Sequence, residues 1–178
     1  LNYDFDERYL LEVNGRYDGS SKFPSNNQFG FFPSVSAGWR LSNEKFWNVS
    51  KKAISDVKLR ASYGALGSGN INAYRFMELF GISQSGRVLG GTRPQTTSQP
   101  NVVPDNLVWE KATTLDLGAD IGLLGNRLFI NADWYTRTTS DMFTAGPTLP
   151  AVFGTGVPQG NYAELKTTGW EVVASWRD

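Results

Sequence analysis

Thr113 to Arg137 reads TTLDLGADIGLLGNRLFINADWYTR, and this stretch decides the fold. A strand sends alternate side chains to opposite faces, so the residues divide by odd and even position. On the first arm Leu115, Leu117, Ala119, Ile121 and Leu123 share one face, and Thr114, Asp116, Gly118, Asp120 and Gly122 share the other. After Leu124-Gly125-Asn126, a hairpin-turn combination, the second arm sets Leu128, Ile130, Ala132, Trp134 and Thr136 against Phe129, Asn131, Asp133, Tyr135 and Arg137. No apolar stripe at helical spacing survives, and β-branched, aromatic and glycine residues are frequent. Two environments suit such a hairpin: a soluble sandwich or barrel with its apolar face inward, or a membrane barrel with that face in lipid.

The same alternation recurs outward from the hairpin. Tyr9, Leu11, Val13 and Tyr17 oppose Glu12, Asn14, Arg16 and Asp18. Phe29, Phe31, Val35, Ala37 and Trp39 oppose Gly30, Ser34, Ser36, Gly38 and Arg40, with Phe32 breaking the pattern on the polar side. Val57, Leu59, Ala61 and Tyr63 oppose Lys58, Arg60, Ser62 and Gly64, and Trp170, Val172, Ala174 and Trp176 oppose Glu171 and Ser175. Between the second and third of these runs, Ser42 is a candidate N-cap, with Phe46, Val49, Ala53 and Ile54 near helical spacing, and one short helix is expected there. Leu66 to Asn106 is a long irregular connection, with a loop hairpin or a further strand pair around Tyr74 to Ile82. Phe143 to Glu164 is too rich in Pro and Gly for a regular element. Numbered in order, the connections alternate between compact and long, as short periplasmic turns and long extracellular loops do in outer-membrane barrels. Aromatics near both ends of the apolar face, Tyr9 and Tyr17, Phe29 and Trp39, Trp170 and Trp176, suit interfacial girdles or a soluble core equally.

Composition removes several functions. The 178 residues carry 17 Lys+Arg against 17 Asp+Glu, so no electrostatic case for nucleic acid exists. Without Cys or His, disulfides, thiolate metal sites and the commonest general base are absent. A mean hydropathy of -0.34 and the lack of a long apolar run exclude a transmembrane helix, though not a barrel. Asp116 and Asp120 lie four apart on one strand face and Asp133 could approach them across the hairpin, as the paired carboxylates of a glycosidase would, but solvated residues on a polar face account for them far better. Scattered strand carboxylates lack the dense oxygen loop of a calcium site, and GALGSGN lacks the Lys-Ser/Thr of a phosphate cradle. No enzyme activity, cofactor or metal is expected. The chain opens on Leu1 and stops inside an alternating run, EVVASWRD, which suggests a piece of something larger.

YLLEVNGRYDGSSKF, GFFPSVSAGWRLSNEKF, VKLRASYGALGSGNI, NLVWEKATTLDLGADIGLLGNRLFINADWYTRTTSDM and GWEVVASW, in that order, resemble the C-terminal part of SusC/RagA-type TonB-linked outer-membrane proteins of Bacteroidetes. The resemblance implies that residues 1–178 are part of an all-β, antiparallel up-and-down transmembrane barrel of about 22 strands, with one short periplasmic helix. On that resemblance the plug, TonB box and terminal strand are expected to lie outside these residues. It implies residence in the outer membrane, and import of oligosaccharides or peptides with a SusD-like surface lipoprotein and the TonB complex as partners. On that basis Leu115, Leu117, Ile121, Leu128, Ile130, Trp134, Trp170 and Trp176 are expected to face lipid. Asp116, Asp120, Asn131, Asp133 and Arg137 are expected to face the lumen. Tyr74, Phe76, Arg87, Arg93, Phe153 and Tyr162, on the two long connections, are candidate substrate contacts. The alternatives are a secreted carbohydrate-binding β-sandwich, with loop aromatics stacking on sugar rings, and a passive or structural outer-membrane barrel.

Overall fold

Alternation of this kind builds strands throughout the chain. The computed structural model describes residues 1–100, 102–104, 107–154 and 156–178. Its strands are β1 (Asn2–Phe5), β2 (Tyr9–Gly19), β3 (Phe29–Arg40), β4 (Ile54–Ser68), β5 (Ile82–Gln84), β6 (Gln95–Thr97), β7 (Glu110–Leu123), β8 (Leu128–Ala145) and β9 (Gln159–Trp176). Seven form one antiparallel sheet in the order β1-β2-β3-β4-β7-β8-β9, and β5 and β6 form a separate hairpin. Asn106, where the sequence suggested that the long connection ends, lies outside the described residues.

The register carries the odd-even division across the whole sheet. Val35, Tyr63, Leu115 and Thr136 stand in one row, and Ala37, Ala61, Leu117, Trp134 and Trp170 in another. Rows on the opposite face are polar, such as Ser62, Asp116 and Tyr135. A one-sided antiparallel sheet in water normally hides its apolar face. Here the apolar face is the bare one: Leu117 is 46% exposed, Trp134 43% and Trp170 76%. On the polar face the Arg60, Asp120 and Asp133 side chains are 33%, 28% and 25% exposed. A bare apolar surface of this extent marks a contact surface.

The expected transmembrane barrel is corrected at this point. Within the chain the sheet is open, with β1 and β9 as its two edges rather than partners. Hydrocarbon tolerates only closed hydrogen bonding, so an open sheet is not by itself a membrane-spanning element. No helix among the described residues is long and apolar enough to cross a membrane. The assignment of this chain to the outer membrane as an embedded segment in contact with lipid is therefore withdrawn, as is the passive outer-membrane barrel. The open sheet encloses no lumen; the residues expected to line one simply share the polar face.

The expected helix is also absent. Only a 3-10 turn at Leu41–Asn43 forms, and it has no side-chain cap. The Ser42 hydroxyl, the presumed cap, donates instead to Asp56 at the start of β4. Glu44 is likewise claimed by tertiary partners: it accepts from the Tyr9 hydroxyl at 2.6 Å and from the Trp39 indole N–H at 3.0 Å. The bond from Tyr9, then that from Trp39, holds the Glu44 carboxyl below its ordinary range, and the same bond raises Tyr9. This clamp fixes the Tyr9–Trp39 stack, with centroids 6.4 Å apart. A second stack, Tyr17–Phe29 at 5.3 Å, sits at the other end of the β2–β3 pair.

The connections divide between the two ends of the sheet, and the longest lies at the second. Residues 6–8, 41–53 and 124–127 join strands at the first end, and 20–28, 69–109 and 146–158 at the second. The long end holds the buried packing: among the described residues Phe23, Phe32 and Leu107 are the buried apolar side chains. Phe23 stacks on Trp109 at 4.6 Å and Phe32 meets Trp109 edge-on at 5.7 Å. Trp109 donates its indole N–H to the Asn27 carbonyl at 3.0 Å, and the Asn27 amide donates to the Leu107 carbonyl at 3.1 Å. Asn161 completes the lock. Its side-chain amide accepts from the Val108 N–H and donates to the Val108 carbonyl, each at 3.0 Å, as a neighbouring strand would.

Candidate functional site

The richest constellation of polar groups lies mid-sheet on the polar face of β4, β7 and β8. Register places Arg60, Gly118 and Asp133 in one row and Lys58, Asp120 and Asn131 in the next. Arg60 Nε donates to both Asp120 oxygens at 3.0 and 2.9 Å, and its Nη2 reaches Asp133 Oδ1 at 2.9 Å. Asn131 Nδ2 donates to Asp120 Oδ1 at 2.8 Å. Gly118 makes this meeting possible, because a Cβ there would collide with the Asp133 carboxylate and stand 2.9 Å from Arg60 Nη2. Burial opposes the charge on Asp120, but bonds from Asn131 and Arg60 outweigh it and hold the carboxyl below its usual range. The bond to Asp120 raises Arg60 in turn, against some desolvation. Pairs a quarter to a third exposed contribute on the order of 1 kcal/mol each, so the network positions three strands more than it stabilises the sheet.

Beside the network is a cavity of about 530 Å³ lined by Arg60, Thr114, Asp116, Asp133, Tyr135, Arg137, Thr167 and Glu171. Tyr135 lies flat across Gly169 of β9: a Cβ on that glycine would stand 2.7 Å from the hydroxyl and 2.8 Å from Cζ. Arg137 Nε donates to Thr114 Oγ1 at 3.2 Å, and no ion pair engages Arg137, Asp116 or Glu171 among the described residues. Charged, hydroxyl and aromatic groups therefore face one space. The arrangement binds rather than reacts. A general acid needs a raised pKa, whereas Asp120 is lowered and Asp133 is held by Arg60. Among the described residues no group of three or more potential ligands is placed to hold a metal ion.

The residues expected on the polar face, Asp116, Asp120, Asn131, Asp133 and Arg137, thus fall on one surface, and three of them join one network. Arg60 and Glu171 were visible on polar strand positions in the sequence, but only the register shows that they meet this group. The six candidate substrate contacts are scattered. Tyr74 sits in a turn with φ 63, and Arg87 and Arg93 lie near the tip of the β5–β6 hairpin. Phe153 is in a 3-10 turn, and Tyr162 is not on a connection at all: it lies on β9 with its ring over Gly160. Phe76 is half-buried.

Residues 1–177 match the family model described as "TonB dependent receptor-like, beta-barrel". TonB-dependent receptor P3 of Formosa agariphila is 36% identical over 178 residues, covering 100% of this chain and 17% of that protein. TonB-dependent receptor SusC of Bacteroides thetaiotaomicron is 35% identical over 147 residues, covering 82% of this chain and 15% of that protein. A solved structure of the RagAB peptide transporter superimposes with a TM-score of 0.80 at 31% identity, covering 97% of this chain and 18% of that one. The chain spans about a sixth of the length of these relatives. They are transport receptors and not enzymes, and this chain is non-enzymatic. The part of the expected resemblance that needs correction is the transmembrane barrel segment, since the sheet here stays open. With the barrel goes the expectation of a wall and lumen for outer-membrane import. The carbohydrate-binding alternative fares better, although one open sheet replaces its two-sheet sandwich. Matching along nearly its whole length, the chain belongs to the TonB-dependent receptor family.

Proposed function

We propose that this chain is a non-catalytic solute-binding element of its receptor, which presents its polar face to a hydroxyl- or amide-rich solute, an oligosaccharide or a peptide. The observation that carries this reading is the cavity beside the Arg60 network, where Asp116, Arg137 and Glu171 have no ion-pair partner among the described residues around the Tyr135 ring. Leu115, Leu117, Ile121, Leu128, Ile130, Trp134, Trp170 and Trp176 would meet the apolar surroundings on the other side. The long connections, with Tyr74, Phe76, Arg87, Arg93 and Phe153, and the neighbouring Tyr162 would contact solute or a surface lipoprotein of SusD type. TonB, for which the family is named, would act elsewhere in the receptor.

Titration of the full-length protein with neutral oligosaccharides and short peptides, followed by calorimetry, tests the reading. Tyr135→Ala is expected to weaken binding about three- to tenfold, the worth of one aromatic contact. Trp134→Ala, one residue along and on the other face, is expected to leave affinity unchanged. Equal losses in the two variants, or no binding by the parent protein, would reject it.

A further inference from the structure

At the first end of the sheet, backbone hydrogen bonds tie three segments into one surface. Leu124 N–H donates to the Ala53 carbonyl at 3.0 Å, Asn126 N–H to Ser55 Oγ at 3.0 Å, and Arg177 N–H to the Arg127 carbonyl at 2.8 Å. Ala53 and Ile54 N–H close the preceding turn on the Ser50 carbonyl, at 2.9 and 3.1 Å. Lys45, Lys51, Lys52 and Arg127 are exposed on these connections, and no ion pair or side-chain hydrogen bond engages any of them among the described residues. Phe46, Val49 and Leu124 are exposed among them. The carboxylate of the 41–53 connection, Glu44, is already held by Tyr9, Trp39 and Arg8. Exposed carboxylates without an ion pair stand at the two flanks, Glu7 in the β1–β2 turn and Asp178 beyond β9.

From this we infer that the surface docks an acidic segment of a partner protein, an extended chain of Asp and Glu with interspersed apolar residues, lying across the end of the sheet from the 41–53 connection to the 124–127 turn. Like charges with no internal partner make a positive patch, which complements an acidic chain and speeds encounter with it. A neutral sugar or peptide would leave those cations unmatched. Phe46, Val49 and Leu124 give the chain apolar contacts that a small anion could not use. The flanking carboxylates set the width of the partner. A flat anionic surface such as a lipid bilayer would cover the whole end and press Glu7 and Asp178 against like charge, whereas a single chain fits the basic stretch between them. The surface is separate from the polar-face cavity and does not depend on it.

Fluorescence anisotropy of the labelled peptide Asp-Leu-Glu-Phe-Asp-Glu on the full-length protein tests this, against the same peptide with Asn and Gln in place of its acidic residues. At low salt the acidic peptide is expected to bind about tenfold or more tightly than its neutral counterpart. Raising the ionic strength from about 0.01 to 1 M is expected to remove most of that preference, because exposed charges are then screened. Lys51→Gln combined with Lys52→Gln is expected to reduce the preference to less than about threefold. Lys111→Glu, exposed at the other end of β7, lowers the net charge equally and is expected to leave the preference unchanged. Equal affinity for the two peptides, an undiminished preference in the double variant, or an equal loss in Lys111→Glu would overturn the inference. So would binding of phosphatidylglycerol but not phosphatidylcholine vesicles in place of the peptide.

Discussion

Phe23→Ala is expected to release the 20–28 connection and to cost about 3–5 kcal/mol, the usual range for deleting a buried phenyl ring. Phe23 is fully buried, and its ring is stacked on Trp109 and packed against Gly69. The nearby Ser20, Ser25 and Asn26 are polar and do not replace the ring. The effect is local, so amide hydrogen exchange in the full-length protein is the suitable measurement. Ser20 N–H donates to the Gln28 carbonyl and Val108 N–H to Asn161 Oδ1, and both depend on this packing. Their protection is expected to fall by about two to three orders of magnitude, since 1.4 kcal/mol is a factor of ten. A fall of less than about tenfold would mean that the aromatic cluster does not hold the loop.

Gly67→Val should be nearly as damaging, for the opposite reason. A Cβ at Gly67 would fall inside the Phe32 ring, which is 5% exposed. The ring has no room to retreat, because Gly30 beneath it is equally intolerant and Trp109 blocks its edge. Overpacking of this kind costs about 1–3 kcal/mol or more. The diagnostic result is non-additivity. Once Phe32→Ala has removed the ring, adding Gly67→Val should be nearly neutral, a coupling of about 2 kcal/mol. Additive losses in the double variant would show that the two residues do not share one space.

Phe32 also shows how far the sequence could be read. Alternation exposes it as an apolar residue on the wrong face, but its partners lie 35 residues later at Gly67 and 77 later at Trp109. No local pattern records that distance. The same limit hid the Arg60 network, because which strand rows meet depends on register across β4, β7 and β8. Strand faces were legible because each needs only its own segment. β1 was missed because four residues are too few for alternation to declare itself, and Asp6 and Glu7 turn the chain with left-handed φ values of 56 and 52 without a glycine. β9 begins at Gln159, inside a stretch rich in Pro and Gly, because Tyr162 covers Gly160 and lets the strand continue. The helix expected near Ser42 failed because Asp56 and the Tyr9–Trp39 pair compete for its capping groups. Whether strands close into a barrel is likewise no property of one segment; it depends on what its edge strands meet.

Adjacent residues on β9 offer the most direct test of which face works. Thr167 pairs with Arg137 on the polar face and Thr168 with Thr136 on the apolar face, and both are exposed. The chain has no Cys, so Thr167→Cys and Thr168→Cys each place a single thiol in it. With the full-length protein and the solute that binds most tightly, the rate of reaction with a thiol reagent is measured with and without solute, and after denaturation as the control. Saturating solute is expected to slow labelling at 167 and leave 168 unchanged. Protection at 168 alone, or equal protection at both, would contradict a solute-binding polar face.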